Sequence, residues 1–156
     1  MTLPAAYSTI TSVSYTHLLY YQKCENKEHH KDISHAVSLS SVSTATMLGA
    51  KAIIAPTMGG LTATSLSKWR PHARIIGMSP NKVVVRQMQL LLGVTPILAS
   101  RASSTDELVD ASVELAKKRG LVQEGDTVVL AVGVPRKGQP AGVLGETNTI
   151  RVVKVD

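Results

Sequence analysis

The residues best suited to chemistry lie between Thr57 and Thr62, in the stretch Ala52-Ile53-Ile54-Ala55-Pro56-Thr57-Met58-Gly59-Gly60-Leu61-Thr62. Four apolar residues, Ala52 to Ala55, suit a strand covered on both faces. Pro56 has no N–H to give to a ladder and marks the strand's end. Gly59 and Gly60 permit positive φ and leave the backbone open to a ligand. Thr57 and Thr62 bracket the turn with hydroxyls. Backbone N–H groups at such a turn, with a helix N-terminus behind them, form a seat for a phosphate. The spacing is neither that of a Walker A loop nor Gly-x-Gly-x-x-Gly, so an ordinary strand-to-helix turn fits the pattern equally well.

Catalysis at this turn would need a base or a pair of metal-binding carboxylates. None is near in sequence. Lys68 and Arg70 are the nearest charges on the C-terminal side, and Asp126 is remote. His29 and His30 are adjacent, which on a helix turns them about 100° apart, and His35 is five residues beyond His30; neither spacing suits a metal. Recognition therefore fits the turn better than catalysis.

The chain has 156 residues, enough for one domain with a real core. It has no Phe and only one Trp, so aliphatic side chains must fill that core. The single Cys24 can form no internal disulfide, which favours a reducing, cytoplasmic setting. No apolar run is long enough for a membrane span, and no secretory signal is expected at the N-terminus. The net charge is +6, and all of the excess follows residue 50, where 14 basic residues face 8 acidic ones. Such a surface attracts phosphorylated metabolites as well as nucleic acid. The basic residues are scattered, however, and Trp69 is the only aromatic among them, so nucleic-acid binding is not expected.

Residues 1–18 read as a non-native or disordered tail. Residues 19–31 favour a linking helix, and residues 32–156 form the domain. Asp32 can cap a helix in which Ile33, Ala36, Val37, Ser40, Ala45 and Leu48 recur at helical spacing. Thr62 to Trp69 is a short helix stopped by Pro71. Arg74 to Met78 is a strand. The segment Asn81 to Leu92 mixes the strand-like Val83-Val84-Val85 with helix formers before Gly93. Val94 to Leu98 is a strand weakened by Pro96. Ser104 and Glu107 form a capping box for a helix to Arg119, with Leu108, Ala111, Ser112 and Leu115 on its buried face. Thr127 to Val132 is the most apolar strand, a glycine-rich loop follows, and Asn148 to Val155 closes the chain. This alternation predicts an α/β fold: a three-layer α/β/α sandwich of about five strands, mostly parallel, with the last strand antiparallel and near an edge.

Three motifs then point to a family. Lys51-Ala52-Ile53-Ile54-Ala55-Pro56-Thr57, Ser67-Lys68-Trp69-Arg70-Pro71 and Gly145-Glu146-Thr147-Asn148-Thr149-Ile150-Arg151-Val152-Val153 resemble the C-terminal domain of pyruvate kinase. The resemblance extends from about Asp32 to Val155. It implies a full enzyme that transfers phosphate from phosphoenolpyruvate to ADP, with its catalytic residues, Mg²⁺ and K⁺ in a preceding barrel domain. No cofactor is implied for the present domain, and this chain alone is expected to be inactive. The implied partners are the barrel domain, other subunits of a homotetramer, and a sugar-phosphate effector such as fructose 1,6-bisphosphate. By the same resemblance, one phosphate sits on Thr57, Met58, Gly59, Gly60, Leu61 and Thr62. Thr57 and Thr62 would donate hydroxyls, and Gly59 and Gly60 backbone N–H groups. A loop from Val134 to Gly145 closes over the sugar, with Arg136 and Lys137 on the second phosphate. The sequence departs from the commoner Thr-x-Ser-Gly-x-Thr pattern, because Gly59 stands in the serine position. The helix over Ile33 to Leu48 and the last strand resemble subunit-pairing elements. A stand-alone phosphate-metabolite binding domain is the alternative.

Overall fold

A computed structural model describes residues 32–102, 104–134 and 147–156. Chain contacts divide at Asp32, and the unit described is Ile33–Asp156. The expected tail over residues 1–18 and the linking helix over 19–31 lie outside the described residues.

The elements alternate as the sequence suggests. They are α1 (Ile33–Leu48), β1 (Ala52–Pro56), α2 (Leu61–Lys68), β2 (Arg74–Ser79), α3 (Lys82–Met88), β3 (Val94–Leu98), α4 (Thr105–Lys118), β4 (Thr127–Val132) and β5 (Thr149–Lys154). One sheet of five strands has the order β3-β2-β1-β4-β5. The first four strands run parallel, and β5 is antiparallel to β4. This is the α/β sandwich expected, with β5 at an edge.

The ambiguous segment after Asn81 is a helix. Asn81 accepts a hydrogen bond from the Val83 N–H at 2.9 Å, and a side-chain cap at that point commits the valines to α3. Pro96 is tolerated because β3 is an edge strand; it faces Gly77 of β2 in the register. On the next layer, a Cβ added to Gly77 would lie 2.7 Å from the Met88 sulfur, so the missing side chain lets α3 approach the sheet.

Residues alternate between two cores along β1, β2 and β4. Ile54, Ile76, Met78, Val128, Leu130 and Val132 pack with Val109 and Ala116 of α4 on one face. Ile53, Ala55, Ile75, Val129 and Ala131 are buried on the other, and α1 packs on β4 and against α2. Two helix faces differ from expectation. On α4 the buried residues are Val109, Ser112 and Ala116, while Ala111 is exposed. The stripe is thus rotated by one position, and Leu108 and Leu115 only flank it. On α1 the buried stripe is Ser38, Ser41, Val42 and Ala45, while Ile33, Ala36, Ser40 and Leu48 are exposed. Serines can face the sheet because their hydroxyls are already satisfied. Ser38 donates to the Ser34 carbonyl at 2.7 Å and Ser41 to that of Val37 at 2.8 Å. Small, internally bonded side chains then permit close helix–sheet packing without an orphan hydroxyl.

α2 ends in a left-handed residue that is not glycine. Arg70 has φ 47°, and its N–H bonds the Ser67 carbonyl at 3.1 Å. A side chain in that region costs about 1–2 kcal/mol, whereas glycine adopts it freely at a smaller entropic cost. Arg70→Gly is therefore expected to stabilise the chain by about 0.5–1 kcal/mol, read as a higher urea midpoint. A lower midpoint would show that the arginine side chain contributes more than its backbone costs.

Candidate functional site

The strand order reverses beside β1. α2 carries the chain from β1 to β2 on one side, whereas α4 carries it from β3 to β4 on the other. In open α/β sheets the crevice outside the carboxyl ends of strands at such a reversal is where ligands bind. Here that crevice lies beyond Pro56 and Val132. The turn over Thr57–Gly60 leaves from one side of it, and the segment from Gly133 to Asn148 leaves from the other.

The turn is held by its own bonds and by β2. The Thr57 N–H donates to the Met78 carbonyl at 2.8 Å, extending the β1–β2 ladder by one residue. The Thr57 hydroxyl oxygen accepts from the Gly60 N–H at 3.0 Å. Ser79, fully buried, donates to the Met58 carbonyl at 3.4 Å and accepts from the Asn81 N–H at 3.2 Å. Gly60 is the N-cap of α2 with φ 84° and ψ −4°. Its carbonyl accepts from both the N–H and the hydroxyl of Thr64, each at 2.9 Å.

Two assignments within the turn sharpen here. Gly60 alone uses positive φ; Gly59 does not and is exposed. Only the second glycine is required by backbone geometry, so a serine at position 59 is compatible with the turn. The Gly60 N–H, expected to face a phosphate, is engaged by Thr57. The donors that helix geometry leaves without intrahelical acceptors are those of Leu61, Thr62 and Ala63, in the first turn of α2. Gly60 has no side chain to cap them. Leu61 is exposed beside them, and Met58 is half-buried.

Thr62 meets a residue far along the chain. Its hydroxyl lies 2.6 Å from that of Thr147, and the two residues are 6% and 4% exposed. Asn148 then clamps the other strand end. Its side chain accepts from the Val134 N–H at 2.8 Å and donates to the Val134 carbonyl at 2.7 Å. Its N–H donates to the Val132 carbonyl at 3.1 Å. The entrance and exit of the segment 135–146 are thereby fixed beside the first turn of α2. Arg136, Lys137 and Gly145 lie in that segment, outside the described residues.

Thr147, Asn148 and Ser79 were not among the residues expected to form the site. Thr147 and Asn148 sit in a motif that marks the family, but nothing in their local spacing ties them to Thr62. Ser79 is an unremarked serine at a strand end, and only the parallel register brings it to Met58. Among the described residues, no group of three or more His, Cys, Asp or Glu is placed to hold a metal ion. No helix among them is long and apolar enough to cross a membrane.

Comparison with known proteins agrees with the geometry. The family model for pyruvate kinase, alpha/beta domain, matches residues 35–153. A pyruvate kinase of Clostridium acetobutylicum is 38% identical over 144 residues, which cover 92% of this chain and 29% of that protein. A pyruvate kinase of Lactobacillus delbrueckii subsp. bulgaricus is 36% identical over 121 residues, covering 78% of this chain and 20% of the relative. One from Staphylococcus aureus is 37% identical over 120 residues, covering 77% and 19%. The chain therefore spans less than a third of the length of these relatives. The matched residues run from within α1 to within β5 and include both sides of the crevice. This chain belongs to the pyruvate kinase alpha/beta domain family.

Proposed function

We propose that this chain is the regulatory and subunit-assembly domain of a pyruvate kinase, and that its Thr57–Thr62 turn holds one phosphate of a sugar-phosphate effector such as fructose 1,6-bisphosphate. The contact between Thr62 and Thr147 carries this reading. It sets the exit of the segment bearing Arg136, Lys137 and Gly145 against the uncapped N-terminus of α2. A phosphate there would accept from backbone N–H groups and one hydroxyl, and the helix dipole favours its charge. The turn from Thr57 to Thr62 carries no charged side chain. Arg136 and Lys137 are the cations suited to the second phosphate, with the loop ending at Gly145 closing over the sugar.

In this reading the full enzyme moves a phosphoryl group from phosphoenolpyruvate to ADP in the cytoplasm. Its catalytic groups, Mg²⁺ and K⁺ belong to a barrel domain. α1, with Ile33 and Met47 exposed, and the edge strand β5 are the surfaces suited to pairing subunits into a homotetramer. In this reading the role of the chain itself is recognition.

Calorimetric titration with fructose 1,6-bisphosphate, ribose 5-phosphate and AMP tests the site. The bisphosphate is expected to bind, and Thr62→Val to weaken it about tenfold, the worth of one hydrogen bond to a charged group. Equal affinity in the native and Thr62→Val chains would remove the turn from the site. No heat from any of the three ligands would leave an assembly domain without an effector.

A further inference from the structure

We infer that the end of the sheet opposite the crevice is a seat for the larger body of a pyruvate kinase chain, and that Arg70 anchors it by meeting a carboxylate there. The inference rests on the proposal that this chain is a pyruvate kinase domain, and it does not depend on the effector site.

The charge is laid out unevenly. No Asp or Glu stands between Asp32 and Asp106, a span that holds seven Lys and Arg and every element from α1 to β3. Four of the seven, Lys51, Lys68, Arg70 and Arg74, gather at the amino ends of the strands. Ala52 and Arg74 are partners in the register, so Lys51 and Arg74 stand at the starts of neighbouring strands. The Arg70 N–H bonds the Ser67 carbonyl, and the Ser67 hydroxyl donates to the Leu92 carbonyl at 2.7 Å. The Ile75 N–H donates to the Gly93 carbonyl at 3.1 Å. These bonds set the turn over residues 89–93 beside Arg70 and Arg74. All four cations are exposed, and in that turn Leu90 is 89% and Leu92 64% exposed. Bare leucines beside cations fit a surface with an apolar centre and a rim of carboxylates.

Arg70 points to use of this face. Its left-handed backbone is one that glycine adopts freely, and glycine is the usual residue at such a helix end. On one side Trp69 is buried, with its ring 5.1 Å from that of His35 on α1. On the other side Pro71 fixes its own φ. The backbone at Arg70 is thus held from both sides while the residue stays exposed. Strain kept at an exposed cation marks a task that the stability of the domain does not require. A guanidinium is a planar fork matched to a carboxylate, and the elements from α1 to β3 have no carboxylate to offer it. The relatives suggest the occupant. The matched residues make up 29%, 20% and 19% of the three pyruvate kinases, so most of such a protein lies outside this domain.

The test exchanges residues 35–153 of this chain for the segment they match in the Clostridium acetobutylicum pyruvate kinase. The half-life of phosphoenolpyruvate turnover is then followed at raised temperature. Arg70→Gly is expected to shorten that half-life about tenfold, the worth of one hydrogen bond to a charged group, while raising the urea midpoint of the full chain by itself. Leu90→Ser is expected to shorten the half-life too, and to leave the midpoint of the full chain near native. Opposite signs for Arg70→Gly separate a seat from a structural role. An Arg70→Gly enzyme as long-lived as the unaltered exchange, or a lower midpoint in the full chain, would overturn the role of Arg70. An unaffected Leu90→Ser enzyme would overturn the seat. Light scattering that shows a dimer of the full chain, lost in Arg70→Glu, would give the face to a second copy and overturn the proposal. An unaltered exchange without activity would overturn the pyruvate kinase reading, and this seat with it.

Discussion

Ile54→Ala is expected to lower the unfolding free energy by about 3 kcal/mol. Ile54 is fully buried in β1, flanked by Ile76 of β2 and Leu130 of β4 in the parallel register. It belongs to the core layer under Val109 and Ala116 of α4. Deletion of its outer atoms removes buried apolar surface and leaves a cavity that strands paired on both sides cannot collapse to fill. Domains of this size have about 5–15 kcal/mol of stability, so the loss is a large fraction of the total. Val152→Ala, on the edge strand and 45% exposed, is the control and is expected to change stability by no more than about 0.5 kcal/mol. Urea denaturation of both variants reads the difference. Similar losses for the two would mean that the sheet does not bury its centre as described.

Gly60→Val carries the second large effect. Two costs add. A β-branched residue at φ 84° is a backbone outlier, at about 1–2 kcal/mol or more. A Cβ at that position would also lie 3.4 Å from the Val84 methyl and 3.7 Å from Met88, so the branched methyls crowd α3. Overpacking of that kind costs about 1–3 kcal/mol, and the sum is expected near 3 kcal/mol. Escape from the left-handed region would break the Thr57–Gly60 bond and move the start of α2. Under the proposed function, phosphate binding is therefore expected to fall with stability. Gly59→Ala is the contrast: Gly59 is exposed and does not use positive φ, so both stability and binding should stay near native. Parallel urea melts and calorimetric titrations check both variants, and an unfolded-like loss in Gly59→Ala would reverse the roles given to the two glycines.

Much of this fold was legible because its signals are local. Proline and glycine punctuate the strands, Ser104 caps α4 by accepting from the Glu107 N–H at 3.1 Å, and an apolar run needs no partner to be recognised. The stripe on α1 was not legible. Ser38 and Ser41 look like surface residues until their bonds to the preceding turn are counted, and then they are the better neighbours for a sheet. The valines of α3 were divided between two periods, and the Asn81 cap decided for the helix. At the site, the turn was readable as a turn, but the difference between Gly59 and Gly60 was not, since both residues permit what only one of them does. Thr147 was hidden for another reason. Its partner is 85 residues away, and only the β4–β5 pairing and the strand reversal beside β1 bring the two hydroxyls together.

The clamp made by Asn148 has a consequence for redesign. Its three bonds to Val132 and Val134 hold the two ends of the 135–146 segment at one spacing, whatever lies between them. The β4–β5 pairing thus has anchors of its own on either side of that segment. Doubling the length of a flexible connection adds only about 0.6 kcal/mol of closure cost. Replacement segments of different length between Val134 and Thr147 are therefore expected to leave the urea midpoint near native. Each would leave and rejoin the fold beside the first turn of α2, where the proposed effector site lies.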